Sequence, residues 1–206
     1  MPGIPGSKPV DPMDRLVPDI IRLQEIATAL RALGRTIVLT QGSFDLVHVG
    51  HAKYLAAAKA RGDVLLVGVD SDAKVRARKG EGRPVVPEGE RTEMLCFFES
   101  VDYVILKSAE APRWEIIRTI CPDVLIATSE TYSESDLVEL GEICGEVVVL
   151  DPMSETSTSA KIRKSQIDIA KRLETALAHS LSDAIPELVS ATVRDVLDPD
   201  KKAGMT

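Results

Sequence analysis

Five short runs of β-branched and aliphatic residues punctuate this chain, and segments of helical spacing separate them. The runs are Thr36–Thr40 (TIVLT), Val64–Val69 (VLLVGV), Tyr103–Leu106 (YVIL), Val124–Ala127 (VLIA) and Val147–Leu150 (VVVL). Hydrophobicity that does not alternate marks a strand covered on both faces, and the intervening helices supply the covers. The pattern predicts an α/β fold: a Rossmann-like, doubly wound, five-stranded parallel sheet with helices on both faces. Ligands of such sheets bind beyond the carboxyl ends of the strands, where the strand order reverses. The residues after the first, second and fifth strands therefore carry the functional argument.

Around this core, Met13–Leu33 places Leu16, Ile20, Leu23, Ile26, Ala27 and Leu30 at helical spacing, with Gly34 as a stop. Further helices are expected over Val49–Ala60, Glu90–Ser100, Pro112–Ile120 and Ser133–Ile143. From Ser159 to Leu197 the chain again reads as helical, with Ile167, Ala170, Leu173 and Leu177 on one stripe and Pro186 as a divide. The expected organisation is a flexible, Pro- and Gly-rich leader over 1–12, an α/β domain over 13–165 and a helical C-terminal extension over 166–206, frayed after 197.

A formal net charge of −7 over 206 residues disfavours binding to nucleic acid or to an anionic membrane. It leaves room for a small anionic ligand held by a local cluster of Lys and Arg. The N-terminus lacks a basic region followed by an apolar one, and no run approaches a membrane span. The three cysteines, Cys96, Cys121 and Cys144, are widely spaced and form no metal pattern, which reads as buried free thiols in a reducing cytoplasm.

The first strand runs into Gly42-Ser43-Phe44-Asp45-Leu46-Val47-His48-Val49-Gly50-His51, which holds two of the chain's three histidines. Gly50 between them permits close approach to a ligand. The segment opens a helix, whose first N–H groups favour an anion. Two imidazoles at such a helix start suit the binding of a triphosphate and the stabilisation of charge on it. Near the C-terminus, Ser157, Thr158 and Ser159 place three hydroxyls at another helix start, where one would suffice as a cap. Lys79 lies in a Gly-rich charged loop (RKGEGRP) that by itself reads as solvated surface.

The stretch GSFDLVHVGH resembles the H-x-G-H signature of the cytidylyltransferase-like nucleotidyltransferases. That family includes glycerol-3-phosphate and phosphoethanolamine cytidylyltransferases, the adenylyltransferase of ADP-heptose synthesis and archaeal FAD synthase. Three further blocks are similar to the family: Val69-Asp70-Ser71-Asp72 after the second strand, the Lys79-Gly80…Arg83-Pro84-Val85…Glu90-Arg91 stretch, and Thr156-Ser157-Thr158-Ser159-Ala160-Lys161-Ile162. The resemblance implies in-line attack by an acceptor phosphate on the α-phosphorus of a nucleoside triphosphate, with release of pyrophosphate and no covalent enzyme intermediate. It implies catalytic roles for His48, His51 and Lys79. It places Gly42, Ser43, Phe44, Asp45, Gly50, Asp70, Arg91, Thr128, Ser157, Thr158 and Ser159 around the nucleotide. It also implies Mg²⁺ carried on the triphosphate, with two roles open to Asp45, fixing the loop or approaching the metal. A homodimer is expected as well, with the C-terminal extension either covering the site or making the dimer contact.

Two departures from the family pattern bear on the base. The loop after the fourth strand reads Ala127-Thr128-Ser129-Glu130-Thr131-Tyr132, without the glycine and acid of many relatives. No arginine stands in Asp151–Glu155, where cytidylyltransferases often carry one. Both the missing arginine and the R-P-V block favour ATP over CTP and a sugar phosphate such as heptose 1-phosphate as acceptor. The alternatives are a CTP-dependent enzyme acting on glycerol 3-phosphate or a similar alcohol phosphate, and a non-catalytic nucleotide-binding relative. A dehydrogenase is disfavoured because no G-x-G-x-x-G follows the first strand.

Overall fold

The structure, a computed structural model, describes residues 11–128, 131–151, 153 and 158–197. The chain divides into two units, Met1–Glu155 and Thr156–Thr206. In the first, six parallel strands form one sheet in the order β1-β4-β3-β2-β5-β6. They are β1 (Leu16–Val17), β2 (Ile37–Gly42), β3 (Val64–Asp70), β4 (Tyr103–Lys107), β5 (Val124–Ala127) and β6 (Glu146–Val149). The five expected strands are β2 to β6.

The sixth, β1, corrects the reading of Met13–Leu33 as one helix. Pro12–Arg15 forms a single 3₁₀ turn, and Leu16 and Val17 pair with Val104 and Ile105 at the sheet edge. Pro18 explains the correction, because a residue before proline avoids the helical region and proline inside a helix loses a hydrogen bond. Helix α1 (Ile20–Ala32) starts only after Asp19, whose side chain caps it by accepting from Arg22 N at 2.8 Å.

Alternation along the strands builds two cores. On one face Ile37, Leu39, Leu66, Ile105 and Leu125 pack under α1, α5 (Glu115–Ile120) and α6 (Glu134–Gly141). On the other, Val38, Leu65, Val67 and Val69 pack under α2 (Val49–Lys59) and α4 (Glu88–Cys96). At the amino ends of the strands, carboxylates take up main-chain donors: Asp63 accepts from Thr36 N, Asp123 from Ile37 N and Asp102 from Leu65 N. The opposite ends are thereby left for function. The chain runs outward from β2 to β3 and β4, then crosses back to β5 and β6, so the order reverses between β2 and β5. That reversal sets the ligand crevice.

A further helix, α3 (Asp72–Lys79), fills a stretch for which no element was expected and runs into the first residues of the charged loop, so Lys79 ends a helix rather than lying in a turn. Only Val75 of α3 is buried, which is why no apolar stripe announces it. Cys96 and Cys144 are buried as expected, whereas Cys121 is exposed. The second unit is one unbroken helix, α7 (Thr158–Leu197), with Pro186 inside it rather than dividing it. The expected boundary after residue 165 falls within this helix.

Candidate active site

The candidate site grows from the loop that joins β2 to α2. Gly42 closes β2, and a β-carbon there would stand 3.2 Å from the Phe44 ring, so glycine lets that ring fold back into the core. Phe44 and Leu46 have φ of 47° and 52°, a left-handed conformation costly for residues with side chains. Asp45 between them holds the loop. Its Oδ1 accepts from Val85 N and Val86 N, each at 3.0 Å, and Oδ2 lies 2.8 Å from Arg83 Nε. The motif carboxylate is thus committed to pinning the segment before α4.

His48 caps α2. Its Nδ1 accepts from Gly50 N at 3.1 Å, and Nδ1 of His51 accepts from His48 N at 3.3 Å. A neutral imidazole that accepts through Nδ1 carries its proton on Nε2. Both rings therefore present Nε2–H as a donor. Their centroids are 4.2 Å apart, and His51 leans on Phe44 at 5.8 Å. Gly50 is buried in the first turn of α2, and the His51 ring stacks back toward the loop.

Lys79 reaches the same loop from the end of α3, donating from Nζ to Ser43 Oγ at 3.0 Å. Burial, with Arg78 and Arg83 nearby, lowers its pKa from the ordinary 10.5 against the opposing pull of Asp45 and Asp70. Ser43, His48, His51 and Lys79 are thus tied together at the carboxyl end of β2. Thr128 stands at the end of β5, across the strand reversal, with its hydroxyl 2.8 Å from that of Thr131.

Arg91 has a different task from the phosphate anchor that the motif implied. It is 1% exposed and donates to the carbonyls of Val86, Ser43 and Asp70 and to Asp72 Oδ1 at 2.8 Å. It positions the motif loop, the end of β3 and the start of α4 relative to one another. Ser157 lies outside the described residues, and Thr158 and Ser159 open α7 with side chains that are likewise outside them. Asp70 ends β3 almost fully buried, paired with Arg78 Nη2 at 2.9 Å and Lys107 Nζ at 3.1 Å. Burial would raise its pKa, but Lys107 and Arg78 outweigh that and hold it below the usual carboxylate value.

Sequence reasoning left Arg78 on a solvated surface, noted Arg83 only within a family block, and missed Gln41 and Lys107 altogether. Gly68 was the available signal. A glycine in an otherwise apolar strand marks a place where something else approaches the backbone. Of the two roles left open for Asp45, its contacts serve the loop-fixing one. Both its oxygens are engaged by Val85, Val86 and Arg83, and among the described residues no three His, Cys, Asp or Glu side chains gather to hold an ion. The residues present do not fit a protein-held Mg²⁺.

A parallel sheet with its order reversed at the motif loop, an H-x-G-H helix start and a lysine on the same loop define a nucleotide-handling α/β class. The Cytidylyltransferase-like family profile matches residues 39–180, and the chain belongs to that family. It is 43% identical over 144 residues, 70% of its length, to the Bifunctional protein HldE of Wolinella succinogenes. It is 37% identical over 153 residues to the protein of the same name from Nitratiruptor sp.. The chain matches only 30% and 32% of the lengths of these curated relatives. Among solved structures, the lipopolysaccharide core biosynthesis protein from Thermoplasma volcanium aligns at a TM-score of 0.51 and 26% identity, covering 58% of this chain and 98% of that one.

Proposed function

We propose that this chain transfers AMP from ATP to a sugar phosphate such as heptose 1-phosphate and releases pyrophosphate. The observation that carries the reading is the gathering of His48, His51, Lys79 and Ser43 at one loop beside the strand reversal. An oxygen of the acceptor phosphate attacks the α-phosphorus. The bond from that phosphorus to the oxygen bridging to the β-phosphate breaks, and no proton must be removed from the nucleophile. Catalysis then consists of positioning and charge stabilisation. The two Nε2–H donors meet the charge that grows on the phosphoryl oxygens, and Lys79 draws the two phosphate groups together against their repulsion. Gly42, Phe44, Gly50 and Thr128 shape the wall on the nucleotide side.

The choice of ATP rests on the Lys79…Arg83-Pro84-Val85…Arg91 block and on the absence of arginine at 151–155. The Thermoplasma neighbour, described as a lipopolysaccharide core biosynthesis protein, supports a sugar acceptor, because saccharide cores are assembled from activated sugars. Mg²⁺ would arrive on the triphosphate oxygens, and no step here is routed through it. We further propose a homodimer acting in the cytoplasm. No helix among the described residues is long and apolar enough to cross a membrane. The test is pyrophosphate release with ATP and with CTP over a panel of phosphorylated acceptors. Turnover with ATP and a sugar 1-phosphate is expected; turnover with CTP alone would overturn the nucleotide assignment.

A further inference from the structure

Beside the phosphate-gripping loop, on the sheet face covered by α5, three polar side chains have no part in the scheme above. Gly68 makes room for two of them. A β-carbon at Gly68 would stand 3.1 Å from Lys107 Cδ, 3.2 Å from Gln41 Cγ and 3.4 Å from Ile116 Cδ1. A glycine inside a central strand is unfavourable in itself, yet here it lets the stems of Gln41 and Lys107 cross the strand side by side. The third member is Asp70, two residues along β3 and opposite Lys107 in the register. Asp70 joins Lys107 and Arg78 through the ion pairs already described.

Gln41 is only 8% exposed, and its Nε2 has no hydrogen-bond partner. A buried amide donor left unmet is costly, and native proteins retain one only for cause. The cause is legible in the surroundings. Within one small patch stand an amide donor, an ammonium donor and a carboxylate acceptor, with the Lys107 side chain at 16% exposure on the rim. A phosphate would face the Asp70 carboxylate and be repelled. An apolar group would leave the Gln41 amide unmet. A hydroxyl both donates and accepts, so one such group can accept from Gln41 or Lys107 and donate to Asp70.

We propose that Gln41, Asp70 and Lys107 form a hydroxyl-reading subsite for the acceptor, selecting polyhydroxylated phosphates over phosphates without vicinal hydroxyls. The inference rests on the sugar-phosphate reading above and assigns Asp70 to the acceptor rather than the nucleotide. The layout agrees. The β2–β5 reversal takes the nucleotide, Lys79 and Ser43 mark the reacting phosphates, and the subsite lies across β2, at the ends of β3 and β4. Burial lowers the Lys107 pKa, and the Asp70 carboxylate beside it pulls the other way.

The test is steady-state kinetics of the full chain with ATP and a sugar 1-phosphate, its monodeoxy analogues included, for wild type, Gln41→Leu and Gly68→Ala. Leucine matches glutamine in bulk and offers no donor. Loss of one buried hydrogen bond corresponds to about tenfold. Gln41→Leu should therefore raise the KM for the sugar phosphate by about tenfold or more, leave the KM for ATP within about twofold, and abolish discrimination against one deoxy analogue. Gly68→Ala should raise the same KM by pressing on Lys107 and Gln41, so either variant alone decides the matter should the other fail to fold. An unchanged KM for the sugar phosphate, with deoxy discrimination intact, overturns the subsite while leaving the enzyme reading in place. A wild type inactive on every sugar phosphate removes the sugar-phosphate reading and the subsite with it.

Discussion

Lys79 is the residue whose chemistry the site alters most plainly. Its ammonium is partly buried and faces two arginines, and both effects favour the neutral amine. The sign follows directly. A lysine with a lowered pKa loses its charge at a lower pH than a free one, so the phosphate-gripping form is present at neutral pH and disappears early on the alkaline side. The profile of kcat/KM, which reports the free enzyme, should show a basic limb below 10.5. Lys79→Met should remove that limb and lower kcat/KM by about a hundredfold. A limb that survives unchanged in Lys79→Met would assign the titration elsewhere. His51 carries a second prediction. Its Nδ1 accepts from His48 N at 3.3 Å, and the start of α2 keeps its other cap, His48 to Gly50, without that ring. His51→Ala should keep the melting temperature within a few degrees while kcat falls by about a hundredfold, as for loss of one donor to developing charge. Wild-type turnover in that variant would separate the imidazole from the chemistry.

Elements of this protein are tied to one another by buried ions as much as by apolar packing, and Asp45 is the main knot. It joins the β2–α2 loop to the segment before α4 through Val85, Val86 and Arg83. Asp45→Ala would strand the Arg83 guanidinium, whose side chain is 12% exposed, and two main-chain donors. A loss of about 3 kcal/mol is expected by chemical denaturation, the scale for breaking a buried pair. A loss below about 1 kcal/mol would show that solvent takes over these partners. The same elements show what the sequence made legible. Strands β2 to β6 could be read because burial on both faces leaves an unbroken apolar run. Helix α3 could not, because DAKVRARK buries one residue only. Strand β1 was hidden by the helical spacing that runs through Leu16 into α1, and only Pro18 betrayed the break. Within the site, His48, His51 and Ser43 announced themselves by spacing. Gln41 and Lys107 did not, and Arg83 stood out only within its block, since what unites these residues is register across neighbouring strands and an ion pair between distant segments.

At the scale of the whole molecule, α7 carries a run of exposed apolar residues. Forty residues of helix extend about 60 Å at 1.5 Å per residue. An isolated helix is held mainly by packing of its apolar face. Ile169, Leu173 and Leu177 follow one another at intervals of four, all exposed, with Leu188 and Val189 further along. Such a stripe in water favours association. A second copy of the chain is the occupant required by the proposed homodimer, and a self-complementary stripe suits a two-fold contact. Full-length protein should sediment as a dimer. Leu173→Lys with Leu177→Lys, placing two ammonium groups per copy into the same seam, should yield a monomer. Because both substitutions lie well beyond the first turns of α7, turnover per chain should stay within about twofold of wild type, a change of roughly 0.4 kcal/mol in barrier. Sedimentation of the wild type as a monomer, or of the doubly substituted chain as an undiminished dimer, would show that α7 has some other use. A dimer lost together with activity would instead make association a condition of catalysis, and the β2–α2 loop would then be incomplete in a single copy.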